Sequence, residues 1–389
     1  MERGYYTVRH PGDLRDLVAR LAAEPCVAFD TEFVWERTYY ARLGLIQLAL
    51  QDGSCFLIDV VALADVTPLG AVMADPRIEK ILHDGPQDLT ILRRATGVAA
   101  RNVFDTRLAA GFAGLSSETS LQNLLADLLG VQLSKAHTRA NWLARPLSVG
   151  QLDYAAADVR HLPQTAALLR VRAREAGVES WLDEELRVLG ASVLCDARRP
   201  GESYLRIRAA EFLTPRSLAV LRELAAWREK EAITADVPRG HIAGDSGLVS
   251  VARALPRRAE ELAACRDLAP LTAQRWGAPL LAAVERGMSL PDAELPPPLR
   301  SSQASLPSRE RVAAAMEIIR RRADARRVDW RLVGSKSEVA LLLQEGDAAL
   351  PENHRLLRGW RAELLDDSLS AALAATGSPG RSWNEFRTQ

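Results

Sequence analysis

Five side chains in the first 160 residues have the types and spacings to act together chemically. Asp30 and Glu32 stand in Val27-Ala28-Phe29-Asp30-Thr31-Glu32-Phe33, where apolar neighbours predict a largely buried strand. The two-residue period of a strand puts both carboxylates on one face. Two like charges that close need a counterion, and a bare buried carboxylate costs far more than one held by a divalent cation. The alternative is a strand running out into a polar loop, with both acids solvated. Further acids arriving from elsewhere in the chain would decide between the two.

Three more candidates follow. Asp88 comes after His83-Asp84-Gly85-Pro86-Gln87. Pro86 suits the first helical position, so Asp88 falls in the opening turn, where an acid also has the plain role of complementing the helix dipole. His83, on the apolar run just before, reads as a core histidine. Ser148-Val149-Gly150-Gln151 has the form of a capping box and opens a long helix. On it Tyr154 and Asp158 are spaced i, i+4 and share a face, while Ala155, Ala156 and Ala157 leave room for a close approach. A tyrosine packed beside a solvated acid fits the same spacing.

The elements that must position these groups are legible from periodicity. Leu14, Leu17, Val18 and Leu21 predict an amphipathic helix started near Pro11 and Gly12 and stopped by Pro25. Two apolar runs, Leu43 to Leu50 and Cys55 to Val60, flank Asp52-Gly53, a two-residue hairpin signal, so the first strands form an antiparallel meander. From Asp59 the pattern alternates: helix from Val60 to Met73, a short strand from Lys80 to His83, helix from Pro86, strand from Asn102 to Phe104, then helix again. Alternation of this kind extends the sheet with parallel strands. The fold class expected is therefore α/β plus all-α, with a mixed sheet covered by helices on both faces.

Past Arg198 to Gly201, a boundary, the chain turns helical. Thr214-Pro215 caps a helix through Leu218, Leu221, Leu224 and Trp227, and short helices follow, broken at Pro238, Gly247, Pro256, Pro270 and Pro279. Pro291 to Ser308, with three consecutive prolines, reads as a linker. A second helical region runs from Arg309 to about Ala375, with a frayed tail expected from Gly377. Arg320, Arg321, Arg322, Arg326 and Arg327 form its basic cluster, either a solvated helix face or a nucleic-acid contact.

Composition bounds the function classes. The chain has 389 residues, with 50 basic and 50 acidic side chains, so no global charge attracts a polyanion and any binding must come from local patches. No apolar run approaches the ~20 residues of a membrane span, and the N-terminus lacks a signal pattern; a soluble, cytoplasmic protein is expected. The four cysteines, Cys26, Cys55, Cys195 and Cys265, are widely spaced and indicate neither a disulfide framework nor a zinc site.

Together the acids resemble the DEDD exonuclease superfamily. Phe29-Asp30-Thr31-Glu32-Phe33 resembles its first motif, Asp88 its second, and Tyr154-Ala155-Ala156-Ala157-Asp158 its third. Position 153 is Asp153, not the histidine that the sister branch places five residues before its last acid, so the resemblance is to the tyrosine branch and, within it, to the ribonuclease D family. It extends through Leu43-Gly44-Leu45-Ile46-Gln47 and the run from Thr138-Arg139-Ala140-Asn141-Trp142 to Leu147. Ala226-Trp227-Arg228 and the helices after it resemble the helicase-and-RNase-D C-terminal (HRDC) domain, with a weaker second copy at Gly359-Trp360-Arg361-Ala362-Glu363-Leu364. Gly85-Pro86-Gln87 is an unusual lead-in to Asp88.

The resemblance implies a ribonuclease-H-like exonuclease domain over 1–200, a helical HRDC domain over 205–290, a linker over 291–308 and a second, divergent HRDC-like domain over 309–376. It implies a 3′-to-5′ exoribonuclease that releases 5′-nucleotides by two-metal hydrolysis and trims tRNA precursors and other structured RNA, acting as a monomer. Two Mg²⁺ or Mn²⁺ ions would be held by Asp30, Glu32, Asp88 and Asp158, Tyr154 would orient the attacking water, and Gln47, Thr138 and Arg139 would contact the terminal nucleotide. A DNA 3′ exonuclease and a catalytically silent RNA-binding scaffold are the alternatives.

Overall fold

Six strands make one mixed sheet in the computed structural model, which describes residues 4–134, 140–195, 200–299, 307–345 and 354–366. They are β1 (Tyr6–Val8), β2 (Cys26–Val34), β3 (Arg42–Ala49), β4 (Cys55–Asp59), β5 (Glu79–Leu82) and β6 (Val103–Asp105), ordered β1-β4-β3-β2-β5-β6. β3 and β4 are antiparallel, with Ala49 opposite Cys55, whereas β1 with β4, β2 with β5 and β5 with β6 are parallel. The expected mixed sheet is therefore present. The Asp52-Gly53 signal makes a three-residue loop rather than a two-residue turn, because Gly53 takes the left-handed conformation (φ 83°) and Leu50 N–H already donates to the Ser54 carbonyl. The edge strand β1, largely exposed and only three residues long, carried no periodic signal.

Of the described residues, those within 1–33, 43–194 and 304–389 form one compact unit, and those within 34–42 and 195–303 a second. In the first unit, alternation along the strands divides the core in two. Val27, Phe29, Ile46, Leu48, Phe56 and Ile58 face α1 (Pro11–Leu21) and α2 (Pro86–Thr96), whose Leu14, Leu17, Leu89 and Leu92 join the same cluster. Cys26, Ala28, Leu45, Ala49, Cys55 and Leu57 face the other way. That side is covered by α3 (Thr106–Phe112), α4 (Leu121–Leu129), α5 (Val149–Arg160), α6 (Leu162–Glu175) and α7 (Glu179–Cys195). The helix expected from Val60 to Met73 is instead three short turns, Val60–Leu63, Thr67–Leu69 and Gly70–Ala74; Ala64, at φ 60°, ends the first of them.

The second unit is helical. Thr214 accepts from Ser217 N–H and caps α8 (Pro215–Ala235), which packs with α9 (Asp245–Ala254) and α10 (Pro270–Met288) around Leu218, Leu221, Leu224, Leu248 and Leu280. The excursion 34–42 between β2 and β3 belongs to this unit. Tyr39 is buried in its core, where its hydroxyl donates to Glu229 and its N–H to Asp236.

The chain then returns to the first unit. Helices α11 (Arg309–Ala325), α12 (Lys336–Glu345) and 359–366 place Met316, Ile319, Leu342, Trp360 and Leu364 in the cluster that contains Ala28 and Leu45. The region read from sequence as a second helical domain thus completes the core of the first unit rather than forming a compact unit of its own. Arg361 forks onto Glu185 with two 2.8 Å bonds, and Asp329 N–H donates to the Gly111 carbonyl at 2.7 Å. Part of the arginine cluster is spent on packing: Arg326 lies over Trp181 of α7, while Arg322 pairs with Asp366 and Arg320 lies over Trp330 inside the region itself. The tail expected from Gly377 lies outside the described residues.

Candidate active site

Asp30 and Glu32 continue the alternation of Cys26 and Ala28, so they point to the face covered by α5. α5 begins at the predicted capping box, with Ser148 accepting from Gln151 N–H and the Gln151 side chain reaching back to Ser148 N–H. Leu152, Ala155, Ala156 and Val159 bury one side of the helix against the sheet, and the small alanines let it come close enough for Cys55 Sγ to reach the Ala156 carbonyl at 3.8 Å. Asp158 is thereby delivered to the strand. Carboxylate oxygens of Asp30, Glu32 and Asp158 all lie within 4.8 Å of one another.

Asp88 reaches the same end of β2 from α2. Pro86 opens that helix and Asp88 sits in its first turn, as the sequence predicted. The side chain stands outside the three-carboxylate group but accepts a hydrogen bond from Thr31 Oγ1, and its charge is felt at both Asp30 and Glu32. Tyr154, one turn before Asp158, hydrogen-bonds to it and thereby favours its charged form. Its ring lies 6.1 Å from that of Trp142.

The four residues are only partly buried, yet the surrounding protein withdraws enough water to raise all four carboxyls. Burial, followed by repulsion from Asp88, Asp158 and Glu32, holds Asp30 well above the usual carboxylate range. Burial raises Glu32 to about 8, and raises Asp88 and Asp158 to about 6. Four acids in this condition stay ionised together only with cations among them. Among the described residues the donors are all carboxylate oxygens and no cysteine or histidine joins the group; His83 Nδ1 is engaged at 3.0 Å with Thr106 Oγ1. An all-oxygen set of this kind suits Mg²⁺ or Mn²⁺, so the residues present fit a divalent cation.

The remaining predicted residues divide. Gln47 is fully buried on β3, and neither atom of its amide finds a partner among the described residues. Thr138 and Arg139 lie outside the described residues. Sequence reasoning did not single out the support around the site. Arg145 clamps the segment after 140 to the sheet: its Nε bonds both oxygens of buried Asp59 at 2.8 and 2.9 Å, and its guanidinium also bonds the carbonyls of Trp142 and Gly44. Gly44 is required there because a Cβ would run into the Trp142 main chain. Trp142, fully buried, is held against Tyr154 with its indole beside Glu32. The signal available was the arginine-proline pair just before the capping box, which no local rule connects to Asp59, 86 residues earlier.

With this geometry in view, comparison with known proteins is specific. Residues 5–172 match the family model of a 3′-5′ exonuclease, and residues 217–284 that of the HRDC domain. Ribonuclease D of Desulfotalea psychrophila is 39% identical over 355 residues, covering 91% of this chain and 95% of its own. Ribonuclease D of Escherichia coli K12 is 33% identical over 373 residues, covering 94% and 97%. The crystal structure of the Escherichia coli enzyme, described as an exoribonuclease involved in structured RNA processing, superposes with a TM-score of 0.83 at 31% identity, over 96% of this chain and all of that one. With four acids and a tyrosine brought to this sheet by a strand and two helices, and with relatives matched along nearly its whole length, the chain belongs to the ribonuclease D family of 3′-5′ exoribonucleases.

Proposed function

We propose that the chain, acting as a monomer in the cytoplasm, removes nucleotides one at a time from the 3′ ends of tRNA precursors and other structured RNAs and releases 5′-nucleotides, using two Mg²⁺ or Mn²⁺ ions. The observation that carries this reading is the convergence of Asp30, Glu32 and Asp158 to within 4.8 Å beside Asp88. When bound, the two ions would supply a nucleophile at neutral pH and neutralise charge on the leaving oxygen.

Each residue then has a task. Asp30, Glu32 and Asp158, which converge, would hold the ions together with Asp88, and four carboxylates against two divalent ions would leave the site near neutrality, so that the scissile phosphate would enter without being repelled. Tyr154, hydrogen-bonded to Asp158, would use its hydroxyl to orient the attacking water, a task that suits a tyrosine hydroxyl better than deprotonation does. Trp142 backs that ring and limits its rotation. Thr138 and Arg139 would contact the terminal nucleotide, whereas Gln47, fully buried, does not reach it in this conformation.

The helical unit grips the body of the RNA. It carries a groove of about 850 Å³ lined by Arg206, Arg208, Arg253 and Arg266 among others. The same groove carries two acids, Asp267 and Asp245, the latter bound by buried Arg228 at 2.6 Å, against these four arginines, so the lining keeps an excess of positive charge. Such a surface suits phosphates without regard to base sequence.

The test is release of nucleotides from a 3′-labelled RNA in Mn²⁺. Wild-type protein is expected to release label, chelator is expected to stop it, and Asp30→Ala is expected to lower the rate by at least about 10³-fold. Chelator-resistant release, or equal or faster degradation of a matched DNA oligomer, overturns the metal or the substrate part of the reading.

A further inference from the structure

We propose that Asp105 is a positioning residue for Asp88, fixing the turn from which the Asp88 helix starts; the inference rests on the metal-site reading above. Asp105 ends β6, next to β5, and is 3% exposed. Its carboxylate accepts four backbone N–H groups that belong to two different elements. Oδ1 accepts from Arg107 at 2.8 Å and Leu108 at 3.1 Å, which caps α3. The same carboxylate accepts from Asp84 at 3.2 Å (Oδ1) and from Gly85 at 2.8 Å (Oδ2), the two residues that join β5 to α2.

That turn is not one the chain adopts easily. Asp84 is left-handed at φ 58°, a conformation that is costly for most residues with a Cβ, though less so for aspartate than for others. Gly85 sits so close to Leu82 that a Cβ would come within 2.8 Å of the leucine Cβ. Two charge-assisted bonds from Asp105 offset this cost and set the direction in which Pro86 launches α2. Asp88 follows three residues after Gly85, so the placement of its carboxylate inherits the rigidity of the clamp. Thr31 holds the far end of that side chain. Asp105 itself spends its four contacts on backbone and stands apart from the carboxylate group; it touches no reacting atom.

Helix capping alone is the competing explanation, and it can be separated. Asparagine and serine cap a helix about as well as aspartate. Asp105→Asn keeps an oxygen for α3 but turns an N–H toward the N–H of Gly85, and Asp105→Ser is too short to reach the turn. Mn²⁺ binding to the full chain without RNA, followed by calorimetry, is compared for wild type, D105N, D105S, D88N and the double variant D88N/D105N. The expected result is a loss of about 10- to 100-fold in one Mn²⁺ binding step for D105N and D105S, the range typical of groups that support a metal ligand. Nucleotide release by D105N is expected to be slow at limiting Mn²⁺ and to recover at saturating Mn²⁺, and D105N is expected to add nothing in the D88N background. Unchanged Mn²⁺ affinity in D105N, a full additional loss in the double variant, or a chain that is unfolded by circular dichroism overturns the proposal. If D88N itself binds Mn²⁺ as wild type does, the metal-site reading fails instead.

Discussion

Trp360 stacks on Trp181, ring centroids 5.7 Å apart and planes tilted by 27°. The pair joins the last described helix to α7 and is enclosed by Phe112, 5.1 Å away edge-on. Both indole N–H groups are taken by glutamates, Glu185 for Trp360 and Glu363 for Trp181. Replacing Trp360 by alanine is expected to destabilise the first unit by about 3–5 kcal/mol, the usual cost of emptying a buried tryptophan site. Urea unfolding of the full chain measures it, and an unshifted midpoint would show that these helices lie on the core without belonging to it.

Tyr154 offers a cleaner test of mechanism than any acid. Tyr154→Phe keeps the ring against Trp142 and removes only the hydroxyl that bonds Asp158. The rate of nucleotide release is expected to fall by about 10²-fold, with Mn²⁺ affinity changed by less than about threefold. A large loss of Mn²⁺ binding would mean that the hydroxyl organises the ligand rather than the water.

The raised acids fix the sign of a pH effect on the metal-free protein. Between pH ~4, where these carboxylates titrate in the unfolded chain, and about 6 to 8, where Asp88, Asp158 and Glu32 titrate in the folded one, the native state binds more protons. Stability from this cluster is therefore full below pH ~4 and is lost as pH rises through 6 to 8. His83 and His161, whose protonation burial disfavours, act in the opposite sense below pH 6.5. The informative quantity is thus the difference between wild type and Asp30→Asn, which is expected to be the more stable of the two at pH 8 in chelator and to lose that advantage at pH 5. Mn²⁺ is expected to raise the melting temperature of wild type more at pH 8 than at pH 5, and thermal melts at the two pH values check both statements.

Arg145→Ala would leave Asp59 buried, with Arg9 at 3.7 Å as its remaining cation among the described residues and the Ala62 N–H as a hydrogen-bond donor. Removal of one partner from a buried pair costs about 3–5 kcal/mol, and here it also frees the Trp142 carbonyl. Near-ultraviolet circular dichroism is expected to lose part of the signal from the Trp142 and Tyr154 contact. Arg145→Lys, which keeps the charge but not the fork, is expected to fall between wild type and alanine; equal behaviour of the two variants would make charge irrelevant.

Arg253 and Arg266 test the grip on RNA. Reversing both to glutamate is expected to raise KM for a tRNA precursor by about tenfold or more and to flatten its dependence on salt, since phosphate contacts release counterions. kcat on a short single-stranded oligomer is expected to be unchanged. A rise in KM for both substrates would place the defect in the catalytic unit.

How much of this was legible depended on the range over which each residue acts. The pairing of Asp30 with Glu32 and of Tyr154 with Asp158 was readable because strand and helix periods decide which side chains share a face, and the place of Asp88 in a first helical turn because Pro86 fixes where a helix begins; that the five serve one site came from the family resemblance. Asp105 was passed over: the strand was read as ending at Phe104, although an aspartate-threonine pair between strand and helix is itself a cap signal. Tyr39 and Trp360 were out of reach in a different way. Amphipathic spacing says that a helix or loop has an apolar side but not which surface receives it, and the proline-rich stretch before Arg309 suggested independence where packing shows incorporation.

The path of the chain through the first unit carries a biosynthetic consequence. The sheet and its acids are all encoded before residue 160, but the surface that covers α7 is supplied by residues 309–366, after the entire helical insertion. A chain that stops before residue 309 therefore lacks part of the apolar surface that closes this core, and the last described helices to leave the ribosome are the ones that seal the first unit.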